Sequence, residues 1–345
     1  MRTEPEASRR PPSFGRLGLC VIGCWAACGC GASTLQQSAP PDETFVLWTP
    51  AVNPGTPDAK DRYPSTVRVR SPAKASPPGA EPPYCSGTVI GPRLVLTSAH
   101  CVCKIRDVTP KGLPKVPSRP KGRRTERDVI TRAQAIQGRN ITAITTASDC
   151  AAEAVVEPVI YGDSNPSDAP KGAGRRYSGA VKAHPDLQIL YDHSYAVWMS
   201  ADVAVIHLTE EVEGITPLTL AKAEVKERDP VVLAGYGKND SKKPEVRQFG
   251  ESLVSSIQAL EGGTVQLLVA AAQHLEDGGV ASQLDLGDSG GGCFELADPT
   301  VLVGINTAMS KNARDETSSF VTSVQPFRDW LERQIKDGDA GRDLH

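Results

Sequence analysis

From Tyr63 to about Lys336 the chain alternates short apolar runs with clusters of Gly, Pro, Asn and Asp. Thr66 to Val69, Gly87 to Ile90, Leu94 to Leu96, Val155 to Tyr161, Val203 to Leu208, Pro230 to Ala234, Val265 to Val269 and Val301 to Ile305 are strand-length and rich in β-branched residues. Such side chains fit a pleated surface, and turn residues between the runs argue for an all-β barrel or sandwich. A convincing helical period occurs once. Pro326 opens the stretch Phe327 to Ile335, in which Phe327, Trp330, Leu331 and Ile335 fall on one helical face. The pattern predicts many strands and one terminal helix.

The N-terminus is patterned differently. Residues 1–35 read as an export signal: Arg2, Arg9, Arg10 and Arg16 precede a mostly apolar stretch, Leu17 to Ala27, and small residues run from Ala26 to Ser33. The apolar stretch is shorter than the ~18 residues a permanent span needs. Cys20, Cys24, Cys28 and Cys30 crowd into this leader. Val21-Ile22-Gly23-Cys24 resembles a bacterial lipobox, and Cys28 and Cys30 also follow small residues, so a lipid anchor and an ordinary signal peptide both stand. Either predicts an exported chain, secreted, periplasmic or lipid-anchored at the cell envelope, where disulfides can form. Residues 36–62, rich in Pro, Asp and Thr, read as a linker, and 337–345 as a polar tail.

Composition narrows the classes. The 345 residues carry 38 Lys plus Arg and 41 Asp plus Glu, a formal net charge of -3, which gives no global case for a nucleic-acid partner. One local exception is Lys104 to Arg127, where Lys111, Lys115, Lys121 and several arginines sit among prolines without an aromatic residue. A solvated surface loop is the expectation there, with a polyanion patch as its competitor. Five cysteines follow the leader: Cys85, Cys101, Cys103, Cys150 and Cys293. An odd number leaves at least one thiol unpaired within the domain. Cys103 and Cys150 bracket the basic segment and can staple its base, whereas Cys293 opens an apolar strand and is expected as a buried free thiol.

The candidate chemistry lies in three local patterns. Gly287-Asp288-Ser289-Gly290-Gly291-Gly292 flanks a serine with glycines, so the backbone can turn sharply and a substrate carbonyl can approach. The amides of Gly287 and Ser289 can then point at a developing oxyanion, each contributing ~3 kcal/mol to transition-state stabilisation. Thr97-Ser98-Ala99-His100-Cys101 places a histidine just after a strand, and Ala201-Asp202-Val203 places an aspartate at the mouth of another. Any one of these alone is weak evidence; together they suit nucleophilic catalysis.

These patterns, in the order His, Asp, Ser, resemble the trypsin/chymotrypsin-like serine proteases, as a bacterial-type exported member, over residues 63–336. His184-Pro185, Leu233-Ala234-Gly235-Tyr236-Gly237 and the Trp-containing final helix are similar to elements of that family. The resemblance implies two six-stranded antiparallel barrels with the site between them, and a cystine joining Cys85 to Cys101. It implies a serine endopeptidase in which Ser289 attacks a carbonyl, His100 moves the proton and Asp202 orients the imidazole, with no metal or organic cofactor. Partners are then a protein or peptide substrate, without nucleic acid, and the chain is expected to act as a monomer.

Departures from the family pattern are informative. No aliphatic-Val-Gly-Gly start occurs near Arg62, so Asp288, which in the family pairs with a new ammonium, needs another partner. The base of the specificity pocket is implied at Gln283, its lining strand at Thr307-Ala308-Met309 and another wall at Ser319. An amide at the base cannot select Arg or Lys through charge, and Met309 stands where a glycine keeps the entrance open, so a small neutral residue is expected. The spacing from His100 to Asp202 implies an insertion, from Cys103 to about Ala154, whose closure entropy grows only slowly with length. A catalytically weak binding or regulatory module on the same scaffold is the alternative, and an adhesin using the basic segment a third.

Overall fold

The computed structural model describes residues 44–46, 52–74, 84–108, 129–162, 175–237, 246–270, 275, 279–311 and 317–339. The chain divides into residues 1–39 and 40–345, and the described residues all fall in the second unit. The leader, with Cys20, Cys24, Cys28 and Cys30, therefore lies outside them. No helix among the described residues is long and apolar enough to cross a membrane.

Strands are numbered in chain order. β3 (Thr66–Arg70), β4 (Tyr84–Gly91), β5 (Leu94–Thr97), β9 (Glu153–Glu157), β10 (Tyr177–Ala183) and β13 (Ala204–Leu208) close a first antiparallel barrel. β15 (Pro230–Gly235), β16 (Gln248–Leu260), β17 (Val265–Ala270), β20 (Thr317–Ser323), β19 (Val301–Lys311) and β18 (Gly292–Glu295) pair in that order, and β18 returns to β15 to close a second. The two six-stranded barrels expected from the resemblance are present.

The apolar runs are continuous because their strands are buried on both faces. On β15, Val231 and Leu233 enter the core of the second barrel, while Val232 and Ala234 enter a core shared with the first. On β5, Leu94 and Leu96 face that shared core and Val95 faces the interior of its own barrel. A side-chain period of two distributes each run between two cores. The terminal helix α3 (Arg328–Asp339) follows a single 3-10 turn, Gln325–Phe327, and adds Trp330 and Leu331 to the shared core. The His184 ring packs edge-on against Phe327 and Trp330, each at 5.1 Å.

Three findings modify the sequence picture. The insertion is not only a loop. It carries β6 (Arg106–Asp107), β7 (Val129–Ile130), the short helix α2 (Arg132–Ala135) and β8 (Ile141–Thr146), and β8 pairs with β11 (Gln188–Asp192), which pairs with β12 (Tyr195–Ser200). Ile141, Ile144, Leu190 and Trp198 give this layer its own small core. Lys111, Lys115 and Lys121 lie outside the described residues. Second, β1 (Thr44–Val46) runs antiparallel to both β19 and β12, within the stretch expected as linker.

Third, residues 52–62, also expected as linker, are packed onto the domain. Val52 and Asp58 are buried, and β2 (Thr56–Pro57) pairs with β16; the remaining strand, β14 (Thr219–Leu220), lies parallel to β19. The fully buried Arg247 guanidinium bonds Asp58 at 2.7 Å and Asp61 at 2.6 Å, and donates to the Val159 carbonyl and the Tyr236 hydroxyl. A charge buried that deeply is tolerable only when its donors are engaged.

Candidate active site

β5 ends at Thr97 and the chain turns at once into α1 (Ala99–Val102), which points His100 into the cleft. The imidazole Nδ1 meets Asp202 Oδ2 at 2.7 Å, and the His100 main-chain N–H donates to Oδ1 at 2.8 Å. One carboxylate therefore fixes both the ring and the turn that carries it. Asp202 is 1% exposed. It follows Ala201, whose φ of 50° is costly for a side chain with a Cβ. Thr264 Oγ1 accepts the Ala201 N–H at 2.8 Å and holds that conformation. Strain of this kind persists where the surroundings over-determine it.

Ser289 stands on a loop that glycine makes possible. Gly287 and Gly290 have φ of 93° and 83°, and a Cβ at Gly290 would collide with the Ser86 carbonyl and Thr97 Oγ1. Bonds from the first barrel pin the loop. The Ser86 N–H donates to the Ser289 carbonyl at 2.8 Å, and Ser86 Oγ donates to the Gly287 carbonyl at 2.7 Å. The Asn306 carbonyl accepts from Gly290 N–H at 2.7 Å and from Ser98 Oγ at 2.9 Å. With their carbonyls so held, the N–H groups of Gly287 and Ser289 donate to no partner among the described residues. Ser289 Oγ donates to the Thr307 carbonyl at 3.3 Å, and no hydrogen bond joins it to His100 among the described residues. His100, Gly287 and Ser289 nevertheless line one cavity of 490 Å³, with Cys85, Tyr84 and Tyr191 in its walls.

Asp288 points the other way, into the second barrel. Its carboxylate accepts N–H bonds from Gly237 at 2.9 Å, from Asp285 at 2.9 Å and from Val52. Burial pushes the carboxyl up to about 7, against the pull of those three amides. The partner that the sequence left open is thus main-chain N–H, one of it from the packed segment. Asn53 next to Val52 exchanges main-chain bonds of 2.9 and 3.0 Å with Gln283. Ser319 Oγ accepts from the Leu284 N–H at 2.7 Å, and Met309 lies opposite Ser319 across β19 and β20. Ser319 thus lies beside Met309 and the segment that carries Gln283, but none of the three lines the cavity that His100 and Ser289 share. Gln283 Oε1 is buried without a hydrogen-bond partner among the described residues.

Cys85 pairs with Cys101 and Cys103 with Cys150, while Cys293 is a free, fully buried thiol whose pKa burial raises. Cys85, His100 and Cys101 bring potential ligand atoms within 4.8 Å, but both sulfurs are committed to a disulfide. Ser86, Asn306 and Thr264 were not visible as site residues in the sequence. Only Ser86, next to Cys85 in β4, carried any signal.

A protein-family model described as Trypsin matches residues 136–331, more than half of the chain, including Asp202 and Ser289 but not His100. No curated protein matches. Among solved structures, the chain is similar to Rv3671c of M. tuberculosis in an inactive form, at 15% identity and a TM-score of 0.40, over 79% of this chain and 87% of that one. It is also similar to an inactivated protease paralogue of the scabies mite, at 18% identity and a TM-score of 0.47, over 81% and 99% of the two chains. A third, titled HL collagenase, has 15% identity and a TM-score of 0.47 over 79% and 94%.

Proposed function

Because the chain belongs to the trypsin family, we propose that it is an exported serine endopeptidase working through His100, Asp202 and Ser289. The observation that carries this reading is a histidine held by one buried carboxylate at both its imidazole Nδ1 and its main-chain N–H, and opening on the cavity that Ser289 lines. With Nδ1 engaged by Asp202, Nε2 is the nitrogen left to take the Ser289 proton as the hydroxyl attacks a peptide carbonyl. For that transfer Ser289 Oγ must leave the Thr307 carbonyl, to which it donates at 3.3 Å, and turn to Nε2 within the cavity that both residues line. The unpaired amides of Gly287 and Ser289 receive the oxyanion. The imidazolium then protonates the leaving amine, and water hydrolyses the acyl-enzyme by the same route in reverse.

Gln283 and the buried Met309 favour a small, uncharged side chain before the scissile bond. A peptide profile dominated by Arg or Lys would contradict that preference. The amide of Val52 bonds Asp288 in the uncut chain, which supports activity without prior cleavage. The two disulfides fit an oxidising compartment outside the cytoplasm, in keeping with the leader. The test is stoichiometric labelling of the uncleaved protein by a fluorophosphonate, abolished in Ser289→Ala; absence of labelling overturns the assignment.

A second reading, a binding or regulatory module on a protease scaffold, draws on the Ser289 Oγ bond to Thr307. It predicts no acylation and ligand binding that survives Ser289→Ala.

A further inference from the structure

The cavity beside Ser289 is lined by two cationic side chains, Lys74 and Lys104, and, among the described residues, by no acidic one. Lys74 is held by a tight turn. Its N–H donates to the Ser71 carbonyl at 3.1 Å and the Ala73 N–H donates to Ser71 Oγ at 3.2 Å. Its ammonium has no hydrogen-bond or ion-pair partner among the described residues, and burial lowers its pKa to about 8 against the opposing attraction of Asp202. Lys104 and Ile105 line the same cavity and, with Pro72 and Ala73, a neighbouring hollow of 610 Å³. There Arg106 is paired with Asp149 at 2.8 Å, which leaves Lys104, shared with the first cavity, as the charge in excess. Of these cations, Lys74 and Lys104 are left without a side-chain partner among the described residues, and both line the cavity that Ser289 lines.

The side of the scissile bond that this charge serves follows from the proposed acid. The leaving amine must lie against His100 Nε2 to receive its proton, and Nε2 is 3.8 Å from Cys101 Sγ. The leaving half of a substrate thus passes over the Cys85–Cys101 disulfide, into the part of the cavity walled by Lys74, Tyr84, Lys104 and Ile105. We infer that this pocket selects substrates bearing a carboxylate within the first residues of the leaving half, with Lys74 as its principal partner. An ammonium partly withdrawn from water gains most from an opposite charge that approaches with it into the same pocket. The carboxylate has two sources, an Asp or Glu side chain or the free C-terminus of a short leaving peptide. The inference rests on the proposed peptidase reading and names its substrate class.

Internally quenched peptides differing only as Glu or Gln at each of the first three leaving-half positions test it. A further pair ends in a carboxylate or an amide. The expectation is that one position, or the free terminus, raises kcat/KM by about tenfold over its neutral twin, and that Lys74→Gln erases the difference. Lys104→Gln reduces it less. Fluorescein-labelled leaving-half peptides titrated into the full-length Ser289→Ala protein give the same comparison without turnover. Equal kcat/KM and equal Kd for charged and neutral twins overturn the inference, even where the fluorophosphonate labels Ser289. Tighter binding of the charged twin without any labelling keeps the pocket assignment and overturns the peptidase instead.

Discussion

Ser86 illustrates how much of the site is set by residues that take no part in the chemistry. Its hydroxyl donates to the Gly287 carbonyl and accepts the Tyr236 N–H at 2.9 Å. Removing it in Ser86→Ala strands a part-buried carbonyl and a buried amide, at a cost of about 1–3 kcal/mol. We expect kcat to fall about tenfold with KM little changed, because the oxyanion amide of Gly287 loses its orientation; an unchanged rate of fluorophosphonate acylation would contradict this. Asp288 gives a pH prediction. Its folded carboxyl is raised to about 7 by burial, so the proton is bound more tightly in the folded than in the unfolded chain. The associated stability is complete below the ordinary carboxylate range and is lost as pH rises through about 7. Urea titrations from pH 4 to 8 should show that decline, and Asp288→Asn should flatten it. At this scale the candidate residues His100, Asp202 and Ser289 could be picked out from the sequence, since glycine flanks and strand-end positions leave a local mark. Thr264 and Asn306 left none, because each acts across a contact between segments distant in sequence, and Lys74 left none because only the fold brings it to the cavity that Ser289 lines.

Elements were legible where burial is two-sided. β5, β13 and β15 read as apolar runs because both faces meet a core. β16 was missed: its second half, from Ser255 to Ala259, is only partly buried, so polar residues interrupt the run. The packed segment 52–62 was misjudged for a different reason. Its attachment is polar, through Asp58 and Asp61 to Arg247, and hydrophobic patterning is blind to that. Arg247→Met should destabilise the domain by about 3–5 kcal/mol, since two carboxylates lose their shared counter-charge. Calorimetry measures the loss, and limited proteolysis should then cut within 52–62. A variant as stable as the wild type, still resisting cleavage there, would contradict the account.

Taken whole, the molecule joins two barrels through one shared core. Leu96 and Val205 come from the first, Val232 and Leu302 from the second, and Trp330 from α3. The proposed catalytic groups straddle that junction, with His100 just after the first-barrel strand β5, Asp202 just before β13 and Ser289 on a second-barrel loop before β18. Both barrels should therefore unfold in one transition. Leu302→Ala, a truncation at a fully buried position, should lower that single transition by about 2–5 kcal/mol. Two separate calorimetric peaks in the wild type or the variant would refute the coupling.

The chain's letters alone determined the all-β class, the terminal helix, the Cys85–Cys101 pairing through its family resemblance, and the three residues of the candidate triad. These depend on local backbone needs and on short-range periodicity, which a linear sequence records. Only the folded structure decided what Asp288 bonds, which Ser86 and Asn306 contacts hold the nucleophile's loop, and where the unpaired charge of Lys74 lies. Those are contacts between groups tens to hundreds of residues apart, and their strength is set by burial, which no single stretch of sequence encodes.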